Sequence, residues 1–309
     1  MSRRSKIKEI RDYVDTITPK CPMAVTRNTP YAVLGDSDGD ACLFNGLLAT
    51  VQVPFAMNAV LASQAQLSDR RPGMFYRSPR RRVTDNEGHP AFFSRDMALG
   101  VLCTYASAES IVQQFECHRS QDAWLHWINN NRTCAVKKPW PFKGCMIRGP
   151  YRYAPDNRSD ITPAMWAMMG RVWNRRGWTL HKEMERWEGS DGDISLIEAR
   201  TCDLGYQLHL KVVQAYIKMI MSQSGEYSHK VGRIAYERLP ENLFYEFVSR
   251  RKITGEMVNR YLEIKPSILQ EWGNSWLWEK SEVTPERIAK SCGWDFVFMG
   301  KLILKHAIC

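Results

Sequence analysis

Gly35-Asp36-Ser37-Asp38-Gly39-Asp40, followed at once by Ala41-Cys42-Leu43-Phe44-Asn45-Gly46-Leu47-Leu48-Ala49, is the stretch on which the reading of this chain turns. Asp and Gly disfavour helix interiors, while the residues after them carry apolar side chains at helical spacing. The pair therefore reads as an acidic turn feeding a helix. A second element has the same design: in Phe92-Phe93-Ser94-Arg95-Asp96-Met97-Ala98-Leu99-Gly100-Val101-Leu102, Ser94 takes the N-cap position and Asp96 falls in the first helical turn. For Asp38, Asp40 and Asp96 two readings stand side by side. Each caps free N–H groups and favours the helix dipole, worth about 0.5 to 2 kcal/mol. Alternatively, the acidic helix N-termini face one cavity and supply the paired carboxylates that acid/base chemistry on sugars requires.

Outward from this core, the 309 residues with 44% hydrophobic content suffice for a large buried interior, and no linker divides the chain. No apolar stretch approaches the roughly 20 residues of a bilayer span. Ser2-Arg3-Arg4-Ser5-Lys6-Ile7-Lys8-Glu9-Ile10 leads into an amphipathic pattern without the apolar region of a signal peptide, so synthesis in a (host) cytoplasm is expected. Nine cysteines form no Cys-x-x-Cys pair, and several sit inside apolar runs, as expected for reduced thiols used in packing.

The net charge of +10 points to anionic partners or to solubility alone. Arg70, Arg71, Arg77, Arg80, Arg81 and Arg82 fall within thirteen residues, interleaved with Met74, Phe75 and Tyr76. This is either a solvated basic loop or an anion site built from guanidinium forks. No zinc-finger or RNA-recognition signature raises nucleic acid above what charge alone suggests.

Helical patterns dominate, over Ile7 to Ile17, Asp40 to Thr50, Pro54 to Gln66, Arg95 to Tyr105, Ser107 to Asn130, Ile161 to Val172, Asp203 to Ser222, Ser228 to Arg238, Glu241 to Ser249, Thr254 to Ile264 and Pro285 to Lys290. Between 131 and 160, Pro, Gly, basic residues and aromatics predict a long irregular excursion, with strands confined to short pairs there. No fixed-period repeat is present. The fold class expected is all-α, built from helical hairpins.

Asp36, Asp38 and Asp40 match the first ligand positions of an EF-hand, but Ala41 replaces its turn glycine and Leu47 its bidentate glutamate. No metal or cofactor is expected. Tyr31-Ala32-Val33-Leu34-Gly35-Asp36-Ser37 looks like the nucleophile block of GDS-type esterases, yet none of the seven histidines follows an Asp by three residues, as that family's catalytic His does. Tyr206 and His209 lie one turn apart on a long helix that Gly205 introduces. They are a core pair, or donors to a polar ligand if that helix opens on a cavity. Most of the eleven tryptophans are assigned to packing between helices.

Taken together, Asp38-Gly39-Asp40 with its Leu-rich helix, Arg77-Ser78-Pro79, Ser94 to Gly100, and Gly205-Tyr206-Gln207-Leu208-His209-Leu210 resemble the (α/α)-toroid proteins encoded by bacteriophages and some bacteria, which are related in architecture to six-hairpin glycosidases and polysaccharide lyases. The resemblance runs from about Val33 to Tyr245, within a single toroid domain over 1–309 that carries a Trp-rich C-terminal extension from about 264. It implies that inner-helix N-termini ring an active-site mouth and bring Asp38, Asp40, Asp96 and Tyr206 together. The expected activity is hydrolysis or lyase cleavage of an acidic bacterial surface polysaccharide. Asp96 and Asp38 or Asp40 are the carboxylate pair, Tyr206 and His209 orient the sugar, and Arg77, Arg80 and Arg95 bind its acidic groups. The competing expectation is a non-enzymatic virion component that binds other virion proteins or its own copies.

Overall fold

The computed structural model describes residues 2–87, 92–134, 151–153, 160–161, 192–221 and 226–307. Chain order runs α1 (Arg3–Ile17), a hairpin of β1 (Met23–Thr26) and β2 (Thr29–Ala32), α2 (Ala41–Thr50), α3 (Ala56–Ala62), α4 (Pro79–Val83), α5 (Arg95–Ser107) and α6 (Ile111–Asn131). Three short antiparallel strands follow in the order β3 (Arg132–Cys134), β4 (Tyr151–Tyr153), β5 (Asp160–Ile161). Then come α7 (Gly192–Thr201), α8 (Tyr206–Met221), α9 (Glu226–Arg238), α10 (Leu243–Arg250), α11 (Gly255–Ile264), a 3-10 turn (Leu277–Glu279), α12 (Pro285–Ala289) and α13 (Trp294–Ala307). The protein is mostly helical.

The apolar run after the acidic turn becomes α2, and every one of its residues from Ala41 to Thr50 is buried. It lies against α3, α5, β2 and α13. The α2–α5 crossing is possible only because both helices carry glycine at the contact. A Cβ on Gly46 would sit 2.1 Å from the Gly100 carbonyl oxygen, and one on Gly100 would sit 2.1 Å from the Cys42 oxygen. Asn45, buried within α2, accepts from the Ala32 amide at 3.0 Å and donates to the carbonyls of Ala32 at 3.0 Å and Ala41 at 2.7 Å. This satisfies a buried amide and fixes β2 to the central helix.

The chain ends meet: α1 packs on α13 through Ile10, Tyr13, Val14 and Ile17, and Arg3 donates to the Ala307 carbonyl at 3.5 Å. The Trp-rich segment expected as an extension is instead part of the main core. Trp276, Trp278 and Trp294 are buried there, and Trp276 stacks on Phe44 with ring centroids 4.6 Å apart. The helix α13 and the β1–β2 hairpin were not anticipated. The apolar residues of α13 surround it on all sides, so its sequence lacks the polar face that marks an amphipathic helix. The hairpin also places strand pairing outside the 131–160 excursion. Beyond Ile161, the helix expected to Val172 lies outside the described residues. None of the described helices is long and apolar enough to cross a membrane.

Candidate functional site

The acidic turn closes with reciprocal backbone hydrogen bonds, Leu34 N–H to Ser37 O at 3.1 Å and Ser37 N–H to Leu34 O at 2.9 Å, and Gly35 takes the left-handed backbone this requires (φ +58°). Past that turn its carboxylates diverge. Asp38 points at the start of α4, where it accepts from Ser78 Oγ at 2.5 Å, Arg80 Nε at 3.0 Å and Arg81 Nε at 3.2 Å. Burial raises the pKa of this carboxyl, but the Ser78 hydrogen bond and the two guanidinium charges outweigh it, so Asp38 stays below the ordinary carboxylate range. The expectation that Asp38 serves as a catalytic carboxylate is corrected: it is 2% exposed and anchors α4 to the turn.

The same bonds revise the basic stretch. Arg80 and Arg81 are spent on Asp38, Arg82 on Asp69 at 2.8 Å, Arg70 and Arg71 on Asp85, and Arg77 on Asp40 at 3.3 Å. All six arginines are thus ion-paired within the protein, and Arg80 is not a free anion ligand.

Asp40 behaves differently. It occupies the N-cap position of α2 without capping it, and its carboxylate reaches Arg77 Nη1, which also donates to the Gly39 carbonyl at 3.0 Å. Asp40 keeps 38% of its side chain exposed. Its pKa is raised, first by desolvation and further by the charge of Asp96, against the pull of Arg77. Asp96, in the first turn of α5, is in hydrogen-bonding contact with the hydroxyl of Tyr206, the first residue of α8. Burial, Asp96 and Asp40 all push the Tyr206 phenol up.

A fourth group joins this cluster. Glu279 closes the 3-10 turn with its side chain 11% exposed, 2.8 Å from Lys280 Nζ. Burial lifts its pKa, and Asp40 and Asp96 add to that shift while Lys280 opposes it. Gly205 makes the juxtaposition possible. With φ +90°, it lets the Glu279–Ser281 backbone pass at 3.3 Å from where a Cβ would stand. Glu279 and Lys280 carried little sequence signal beyond a charged pair directly after two tryptophans.

His209 follows Tyr206 by one turn but does not reach the cluster. It is fully buried beside Phe244 with ring centroids 5.8 Å apart, and no hydrogen bond of normal geometry reaches either ring nitrogen. Desolvation drives its pKa down to about 3, and the neighbouring Trp278 backbone opposes that shift without cancelling it. The sugar-orienting role expected for His209 is corrected to a neutral core imidazole. Arg95 begins α5, and its side chain lies outside the described residues.

The structure thus brings together Asp40, Asp96, Tyr206 and Arg77 from the expected set, adds Glu279 and Lys280, and separates Asp38, Arg80 and His209 from them. Among the described residues no three His, Cys, Asp or Glu are arranged to hold a metal ion. Fold and site define a mostly helical protein with a carboxylate cluster where the N-termini of three helices meet. Comparison with protein-family models, curated proteins and solved structures finds no significant match to this chain.

Proposed function

We propose that this carboxylate cluster is the active site of a glycan-cleaving protein, a glycoside hydrolase or polysaccharide lyase acting on an acidic bacterial surface polysaccharide, of the bacteriophage (α/α)-toroid type. One observation carries the reading: Asp40, Asp96 and Glu279 sit within electrostatic reach of one another around Tyr206, and Asp40 and Glu279 have raised pKa values. Burial and neighbouring charge raise Asp40 and Glu279 toward the range in which a carboxyl can donate a proton, as a general acid must. In this mechanism Asp40 protonates the leaving oxygen and Asp96, oriented by Tyr206, acts as base or nucleophile. The charges of Asp40 and Asp96 raise the Glu279 pKa, Arg77 holds the Asp40 carboxylate in place, and Lys280 meets the acidic group of the sugar. The raised Tyr206 phenol is a poor base, which favours hydrolysis over lyase chemistry.

The toroid belongs to the same proposal. The meeting of the N-termini of α2, α5 and α8 and the packing of α1 on α13 support it, and the complete burial of α2 confines any opening to the helix ends. A virion-assembly role is the second reading, favoured by Ile111, Val112 and Phe115, which are 86%, 68% and 66% exposed along α6.

The test is turnover of host surface polysaccharides and peptidoglycan, read as reducing ends and as the unsaturated product of a lyase. Asp96→Asn and Asp40→Asn are each expected to lower turnover by about two orders of magnitude or more with little change in melting temperature. No cleavage of any such glycan by the parent protein sinks the enzyme reading.

A further inference from the structure

The pairing of the arginines in the 70–82 segment leaves open where the net charge of +10 is displayed. Helix α1 supplies one answer. Its buried face is apolar, and its solvent face carries Arg4, Lys8 and Arg11 at spacings of four and three residues, hence in one row. Lys6 is held by Asn259 Oδ1 at 2.6 Å and Glu9 by Lys265 at 3.6 Å, whereas Arg4, Lys8 and Arg11 make no ion pair or hydrogen bond with any described residue. These cations border an open groove of about 930 Å³ shared with Arg3, Asp12 and the end of α13 at Ala307. The first turn of α1 contains no acidic residue, so its arginines oppose the helix dipole and contribute nothing to helix stability there.

The row also lies at the opposite helix ends from the carboxylate cluster. Arg3 touches Ala307, and Lys305, two residues earlier, donates to the Thr50 carbonyl at the C-terminal end of α2 and pairs with Glu109 just beyond α5. Asp40 and Asp96 stand at the opposite, N-terminal ends of those two helices.

We propose that the Arg4–Lys8–Arg11 face of α1, headed by Arg3, is a contact surface for a nucleic-acid backbone. The row is about 10 Å long, and a nucleic-acid strand offers a phosphate about every 3.4 Å along its axis, so each cation finds an anion within a single strand. An acidic glycan carries sparser charge, and one bound for cleavage would contact the carboxylate cluster instead. An anionic lipid surface would require the apolar face of α1, which is consumed by α13 and α11. Asp12 bounds the row at its C-terminal side and limits the contact to the first three turns.

The experiment uses the full chain and a fluorescein-labelled DNA duplex of about 20 base pairs, followed by anisotropy from about 50 to about 200 mM salt. The parent protein is expected to bind, with affinity falling as salt rises. The triple variant Arg4→Gln, Lys8→Gln, Arg11→Gln is expected to bind about tenfold or more weakly, with a log–log salt slope shallower by about 2 to 3. Its melting temperature should not move, because the three side chains are exposed. A variant that neutralises Lys20, Lys252 and Lys290, exposed elsewhere, should keep the parent affinity and slope. Absence of duplex binding, equal loss in both variants, or tighter binding to polygalacturonate at matched charge concentration would each overturn the assignment. None of these outcomes depends on cleavage at the carboxylate cluster.

Discussion

Asp38 and Asp40 stand two residues apart in one acidic turn and end in different surroundings. Asp38 meets Ser78, Arg80 and Arg81, while Asp40 meets Arg77 and the charge of Asp96. Sequence reasoning placed Asp40, Asp96 and Tyr206 at helix starts, because local composition marks a helix start. It could not separate Asp38 from Asp40, since the deciding partners lie about forty residues further along the chain. Asp38→Asn should cost about 2 kcal/mol at neutral pH, a value held down by the 53% exposure of the Arg80 side chain. Because the folded pKa of Asp38 is depressed, its contribution is fully present above the ordinary carboxylate range and is lost as pH falls through the folded value. Thermal melts of parent and variant should therefore differ at pH 7 and converge as the pH falls below the ordinary carboxylate range. His209 adds a second acid-sensitive contribution. Its folded pKa of about 3 lies below the ordinary value near 6.5, so between the two the unfolded chain takes up a proton that the folded chain refuses. Stability should fall over that window, and His209→Leu should flatten the slope in a pH series of melts. A variant as acid-sensitive as the parent would refute the buried neutral imidazole.

At the scale of elements, the α2–α5 crossing is the contact that sets Asp40 beside Asp96. It depends on Gly46 and Gly100, which place backbone against backbone where any Cβ would clash at 2.1 Å. Gly100→Ala is expected to destabilise by about 3 kcal/mol, since the obstructing atoms are main chain and cannot rotate away. A denaturant titration reads this directly, and a midpoint equal to the parent's would mean the helices can separate cheaply. Helices with one apolar face, such as α8, α9 and α11, were legible from periodicity. By contrast, α13 was not, because complete burial removes the periodic contrast between polar and apolar faces. The same loss affects α2, but there the acidic turn announced the helix start.

At the scale of the whole molecule, the first and last helices close on each other. Gly300 of α13 leaves room for Val14 of α1 and Tyr261 of α11, where a Cβ would meet them at 2.4 and 2.6 Å. Deleting residues 1–17 strips Ile10, Tyr13, Val14 and Ile17 from that face, each worth about 1.5 to 3 kcal/mol of burial. The truncated chain is expected to lose cooperative melting and to bind a hydrophobic dye, both measurable by calorimetry and fluorescence; a sharp transition near the parent temperature would show that α1 is an appendage. The sequence by itself determined the helical class, most helix positions, and the acidic and aromatic residues at helix starts, because these depend on propensities and periodicities within a few residues. Only the tertiary structure decided which carboxylates cluster, that Glu279 and Lys280 join them, and that the clustered arginines are each ion-paired within the protein. Those outcomes depend on contacts between segments far apart in the chain, where burial and partner charge, not residue type, set what an ionisable group can do.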